Sequence, residues 1–302
     1  MEQVHDALRE RSHDLSRSQY ARDCKRFIKY CRDTFDCRTF KECKTHVQEY
    51  SDHLQSESYS ASTIHTYLVA VCAVFEVDLR TINKPVRHVA DYTRGRSQRR
   101  DGVSVDLLDP KWACLIDFQR AVGLRRDELM HLRGSDFRSD ESGYPCVYVR
   151  RGKGGKPQLQ RILDKYVPFV QSYFEDALSE NLVFDRALFK NDLNFHCLRA
   201  EAAKEYYQEQ LKRINGSPEY AEKLEREIRL RWAKCNRDKQ GRPRPFFERE
   251  LRGYYTLRGK NRSLAIQKNL PLRYNKLALL ATSIFKLSHW RNDVTIASYL
   301  LA

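Results

Sequence analysis

NKPVRHVADYTRGRSQRRDGVS (83–104) decides how the rest of the chain divides. It has no apolar periodicity and is strongly basic, the composition of a linker between domains. Drawn at 86–104, it separates a small region, 1–85, from a larger one, 105–302. On its N-terminal side the apolar residues recur at three- and four-residue spacing. Tyr20, Cys24, Phe27, Ile28 and Cys31 predict one amphipathic helix, and Phe40, Cys43, Val47, Tyr50 and Leu54 a second near 40–55. Ile64, Tyr67, Leu68, Val71 and Phe75 predict a third behind a cap region at Ser60 and Ser62. On its C-terminal side come helices near 111–121 and 126–132, then strands at 145–150 and 158–163 joined by RGKGGKP as a hairpin turn. The remainder reads as mostly helical, including a long charged stretch at 217–236. The expected fold is mainly α with a small antiparallel β-sheet.

The 302 residues hold 55 Lys and Arg against 40 Asp and Glu, a net charge of +15. That balance points to a polyanionic partner. Nucleic acid fits better than a membrane, because no apolar run approaches the ~18 residues of a spanning helix. The nine cysteines form no C-x-x-C pair and no zinc-type spacing with histidine. The polar start MEQVHDALRERSHD does not read as a signal peptide, which favours a reducing compartment, with Cys24, Cys31 and Cys43 as small core residues.

Four motifs carry the chemistry. In AVGLRRDELMHL (121–132) a glycine ends one helix and Arg125 opens the next, where the backbone N–H groups also favour an anion. In RGKGGKPQLQRIL (151–163) Lys153 sits on a hairpin tip as a candidate general acid, with Lys156 as a neighbouring substitute. In FHCLRAEAAKEYY (195–207) His196 and Arg199 are three apart and share a helix face, suited to gripping two phosphate oxygens. LSHWRNDVTIASYL (287–300) supplies His289, Thr295 and the phenol of Tyr299. Cations clustered around a phenol suit attack of tyrosine on a phosphodiester, since fixed guanidinium groups can stabilise the extra negative charge of the transition state.

In this order, G-L-R-x-x-E-L, a hairpin Lys, H-x-L-R and L-x-H followed by Tyr, the motifs resemble the tyrosine recombinase (phage integrase) family. The resemblance covers about 105 to the end, and the helical region with its basic linker is similar to the family's core-binding domain. It implies a helical core-binding domain at 1–85, the linker at 86–104 and an α+β catalytic domain at 105–302. Arg125, Lys153, His196, Arg199, His289 and Tyr299 would be the catalytic set, with Tyr299 forming a 3′-phosphotyrosine link and Lys153 protonating the 5′ oxygen. Glu128 and Asp136 would support the Arg125 region. No cofactor or metal is implied. The implied partners are double-stranded DNA with inverted-repeat core sites, a homotetramer on two duplexes that passes through a four-way junction, and an accessory DNA-bending or directionality factor. The two domains would clamp opposite faces of the duplex. The setting would be the cytoplasm, nucleoid-associated, of a prokaryote or its phage, with integration or excision of a mobile element as the preferred role. Rival readings are a type IB topoisomerase, Xer-like dimer resolution and a non-catalytic DNA-binding relative.

The chain departs from the family pattern in two places. Tyr299 follows His289 by ten residues, one more than the family spacing. One extra residue on an α-helix turns a side chain by about 100°, so the last segment is expected to start late, bulge or leave the helix. Tyr254, Tyr255 and Tyr274 are the alternative phenols. The ninety positions from Arg199 to His289 also exceed the family's need, and about 205–265 reads as a charged insertion. The plain alternative is a solvated elaboration; the expectation is a contact to DNA or to a neighbouring protomer, above all through RWAKCNRDKQGRPRP (231–245), so that its deletion weakens DNA binding or synapsis. With three residues after Tyr299, a donated C-terminal helix is not expected, and the insertion is the candidate substitute.

Overall fold

The computed structural model describes residues 14–87, 110–152, 155–238 and 240–302, together with Val4, Asp6, Leu8, Arg99, Asp101, Val103 and Ser104. The fold is mainly helical with small antiparallel sheets. It divides into two compact units, Met1–Tyr92 and Thr93–Ala302. Most of the basic stretch 86–104 lies outside the described residues.

The first unit contains α1 (Asp14–Phe35), α2 (Phe40–Lys44), α3 (Val47–Ser56) and α4 (Ala61–Phe75). The single helix expected over 40–55 is therefore two. Thr39 starts α2 through a capping box with Glu42, and the Thr45 hydroxyl donates to the Glu42 carbonyl at 2.8 Å just after it. Ser60 caps α4, its hydroxyl accepting from the Thr63 N–H at 3.2 Å. The apolar faces meet around Phe27, which is edge-on to Phe75 with ring centres 5.0 Å apart and lies 5.1 Å from Tyr50. Losing a ring so placed costs about 3–5 kcal/mol. Cys24, Cys31 and Cys43 are buried free thiols in this core. Burial, helped by Asp23, pushes the Cys24 thiol up to about 12, as expected of a packing residue rather than a reactive one.

In the second unit, α5 (Ala113–Val122) and α6 (Arg126–Leu129) precede a three-stranded antiparallel sheet of β1 (Phe137–Ser139), β2 (Pro145–Val149) and β3 (Gln158–Arg161). The β2–β3 pair ends with Val149 opposite Gln158, and beyond it the Gly152 N–H donates to the Lys156 carbonyl at 2.8 Å. Then come α7 (Val167–Glu175), α8 (Phe195–Gly216), α9 (Pro218–Cys235), β4 (Tyr254–Thr256), α10 (Gly259–Gln267), β5 (Arg273–Asn275), α11 (Lys276–Ala281) and α12 (Asn292–Thr295). β4 and β5 form a second antiparallel pair, so the single small sheet of the sequence reading is two.

Gly123 ends α5 in the left-handed region, φ +66°, and a β-carbon there would lie 2.9 Å from the Ala202 Cβ on α8. Both the turn and the close helix approach therefore need glycine. Ala200, Ala202 and Ala203 supply the small surface that lets α8 come so near.

The insertion is not a solvated elaboration. Ser217 ends α8 and also caps α9, accepting from the Tyr220 N–H at 3.1 Å with Pro218 at the first helical position. Leu224 and Ile228 of α9 are buried in one apolar cluster with Tyr206, Leu251 and Phe285. Arg161, 4 % exposed, is bonded to Asp140 at 2.7 Å and to Glu227 of α9 at 3.0 Å. Tyr207, Leu257 and Ala265 belong to a further cluster with Leu279 and Leu300. Segment 205–265 thus supplies part of the core that carries the C-terminal helices.

Candidate active site

Arg199 is the centre of the site and one of the largest fully buried side chains, 1 % exposed. Its guanidinium donates to the carbonyls of Gly123 and Leu287, the latter at 3.1 Å, and to Gln160 Oε1 at 3.4 Å. The Glu128 carboxylate lies 3.8 Å away. Burial pulls the Arg199 guanidinium below the usual arginine range, with Tyr299 and Glu128 opposing the shift and Arg125 adding to it. Its Nε is buried without a hydrogen-bond partner among the described residues.

Glu128 ties the first motif to this centre. It accepts from the Arg125 guanidinium at 2.5 Å, the Arg125 N–H at 2.8 Å and Gln158 at 3.1 Å. Arg125 opens α6 and its side chain stays 31 % exposed, so it faces both the buried carboxylate and solvent. Asn194 caps α8, accepting from the Cys197 N–H at 3.3 Å, which puts His196 in the first helical turn. A cleft of about 230 Å³ lies here, lined by Arg125, Arg126, Leu193, Asn194, Phe195, His196 and Arg199. Three guanidinium groups beside the N-terminus of a 22-residue helix make it attractive to an anion.

Tyr299, 7 % exposed, does not line this cleft but lies beside His196 and Arg199, which do. Its ring centre lies 5.2 Å from that of His196 and 6.3 Å from that of His289, and the Arg199 guanidinium carbon is 5.8 Å from it. The ten-residue step from His289 to Tyr299, expected to start late, bulge or leave the helix, contains a widened turn. Over Ile296–Leu300 the ladder is of the π type, and the Leu301 N–H reaches back to the Ile296 carbonyl at 2.9 Å. One residue is thereby looped into the helix without turning the phenol away. Tyr299 packs on Ala200 and Ala203, and Lys204 and Lys268 donate to the carbonyls of Ala302 and Leu301, which holds the turn in place. A second π turn, Thr282–Lys286, precedes His289.

His289 departs from the cation cluster expected of it. Burial first, then the positive fields of Arg199, Arg125 and Arg291, pull its imidazole down to about 4. It is neutral at physiological pH. Nδ1 accepts from the Arg291 N–H at 3.3 Å, which assigns the proton to Nε2 as a donor. That Nε2 is buried without a partner among the described residues.

Other residues here went unread in the sequence. Lys286 is 1 % exposed and donates to the Ala121 carbonyl at 2.6 Å. Burial and Arg199 pull its ammonium down to about 7. Gln119 donates to Leu124 and Phe195 carbonyls at 2.6 and 3.1 Å and shapes the Gly123–Arg125 turn. Gln160 bonds to Arg199 and to the Lys286 carbonyl. Arg126 donates to the Phe189 carbonyl and lines the cleft. The doubled arginine of GLRRDEL was the signal for Arg126; the two glutamines gave none. Lys153 lies outside the described residues. Asp136 is 1 % exposed, accepts from the Arg133 N–H at 2.9 Å and forms an ion pair with Arg150 at 3.0 Å. Of the alternative phenols, Tyr274 is buried against Tyr207, while Tyr254 is 52 % exposed. Among the described residues no group of three or more His, Cys, Asp or Glu could hold a metal ion, and no helix is long and apolar enough to cross a membrane.

No protein-family model matches the chain, and no curated protein matches it. Among solved structures it is similar to one described as a crystal structure of XerA recombinase. The two are 18 % identical over 67 % of this chain and 81 % of that one, with a TM-score of 0.23, a likeness too low to fix the fold.

Proposed function

We propose that the chain cleaves and rejoins DNA through a covalent link to Tyr299, as a recombinase of the tyrosine type. The observation that carries this reading is the convergence of the Tyr299 ring on His196, His289 and Arg199, from segments a hundred residues apart in sequence. A backbone phosphate in the cleft would meet Arg125, Arg126, His196 and the first turn of α8. The Tyr299 phenol gives up its proton to water as its oxygen attacks phosphorus, a phosphotyrosine bond forms, and the bond from phosphorus to the 5′ oxygen breaks. Lys153, named from its motif alone, would protonate that leaving oxygen. The neutral Nε2–H of His289 and the guanidinium groups stabilise the added charge of the pentacoordinate state. A 5′-hydroxyl from a second duplex reverses the step and joins new strands. Site-specific exchange between two duplexes by four protomers, serving a mobile element, is the finer form of this proposal.

Tyr299→Phe tests it. The variant is expected to bind DNA as the wild type does and to form no adduct that survives denaturing gels. A normal adduct from the variant would refute the assignment. A second reading, strand relaxation by a single protomer, would use the same residues. Relaxation of supercoiled plasmid without sequence preference would support that reading over recombination.

A further inference from the structure

Ser288 to Asn292 is a costly piece of backbone. Ser288 has φ +56°, a left-handed region that non-glycine residues occupy only under strain. Ser288 Oγ, His289 Nε2 and Asn292 Oδ1 are all buried without hydrogen-bond partners among the described residues. Such a segment persists only where its surroundings hold it. The surroundings come from the insertion. Trp290 stands edge-on to Trp232 of α9, ring centres 5.1 Å apart at 83°. Trp232 is edge-on to Phe247 at 4.5 Å, Phe247 stacks on Phe246 at 4.9 Å, and the Trp232 indole N–H donates to the Arg244 carbonyl at 2.8 Å. From the other side Asn292 Nδ2 donates to Glu250 at 3.3 Å.

We propose that Trp232, backed by Phe247, is a positioning residue that clamps Trp290 and thereby holds the adjoining His289 imidazole toward Tyr299. This gives the insertion a task inside its own protomer. The proposal rests on the reading of Tyr299 and His289 given above, and deepens it.

The test compares wild type, Trp232→Ala, Trp232→Phe and Leu224→Ala, the last an insertion core residue that the clamp does not use. NMR titration of the His289 imidazole in the free protein is the first readout. Loosening the clamp admits water, so Trp232→Ala is expected to raise the titration point from about 4 toward the ordinary histidine value. Trp232→Phe is expected to restore it, and Leu224→Ala to lower the melting temperature without moving it. The second readout is single-turnover adduct formation on nicked duplex DNA. There Trp232→Ala is expected to be slower by roughly tenfold or more at unchanged DNA affinity. Should Trp232→Ala unfold, Glu250→Ala loosens the same segment from the Asn292 side and is read the same way. An unmoved His289 titration in a folded clamp variant would overturn the proposal. A moved titration with no adduct from wild type would uphold the clamp and overturn the cleavage chemistry instead.

Discussion

Arg199 keeps a guanidinium where water does not reach, and its neighbours explain how. The Gly123 and Leu287 carbonyls, Gln160 and the Glu128 carboxylate replace the lost hydration. His289, beside the same charge, adopts the other solution and stays neutral. Its pH signature follows. The unfolded imidazole titrates near 6.5 and the folded one near 4, so between those values the unfolded state binds more protons and stability rises with pH. Acidification from 6.5 to 4 is expected to cost the wild type roughly 3 kcal/mol more than His289→Gln. Urea midpoints of the two proteins across that range check it; parallel curves would contradict a buried neutral histidine. Arg125, His196, Arg199 and Tyr299 could be named as candidates from the sequence because each belongs to a short motif. Lys286 was not: in ATSIFKLS it reads as one lysine on an apolar helix, and only tertiary packing buries it under Arg199.

Among elements, the turn after α5 controls the most. Gly123 bends the chain, lets α8 approach and offers Arg199 a carbonyl. Gly123→Ala sets a β-carbon against Ala202 at a left-handed φ and is expected to destabilise by about 1–3 kcal/mol. Thermal or urea unfolding measures this, and a neutral change would mean that the turn has another conformation. The helices of the first unit were legible from apolar spacing and from the cap region at Ser60, whereas the Ser217 cap of α9 was not read. β1, β4 and β5 were not, because three residues are too few to show a period of two. The π turn at Ile296–Leu300 leaves no compositional trace; the sequence showed only that one residue had to be accommodated.

At the scale of the molecule, the charged look of 205–265 misled. Leu224 and Ile228 stand four apart on α9 and form a narrow apolar stripe, but the surrounding Glu, Lys and Arg outnumber them. Because Tyr206, Tyr207, Leu224, Ile228 and Leu257 come from this segment, its removal is expected to abolish cooperative thermal unfolding of the second unit rather than to weaken DNA binding alone. A sharp melting transition in the truncated protein would contradict that. The central claim, that Tyr299 is the nucleophile, is met most directly by mapping the link itself. Wild-type protein is trapped on a nicked duplex, digested with nuclease and protease, and analysed by mass spectrometry. The account predicts a 3′-nucleotide mass on the peptide that contains Tyr299. The same mass on a peptide holding Tyr254, Tyr255 or Tyr274, or on none, would contradict it.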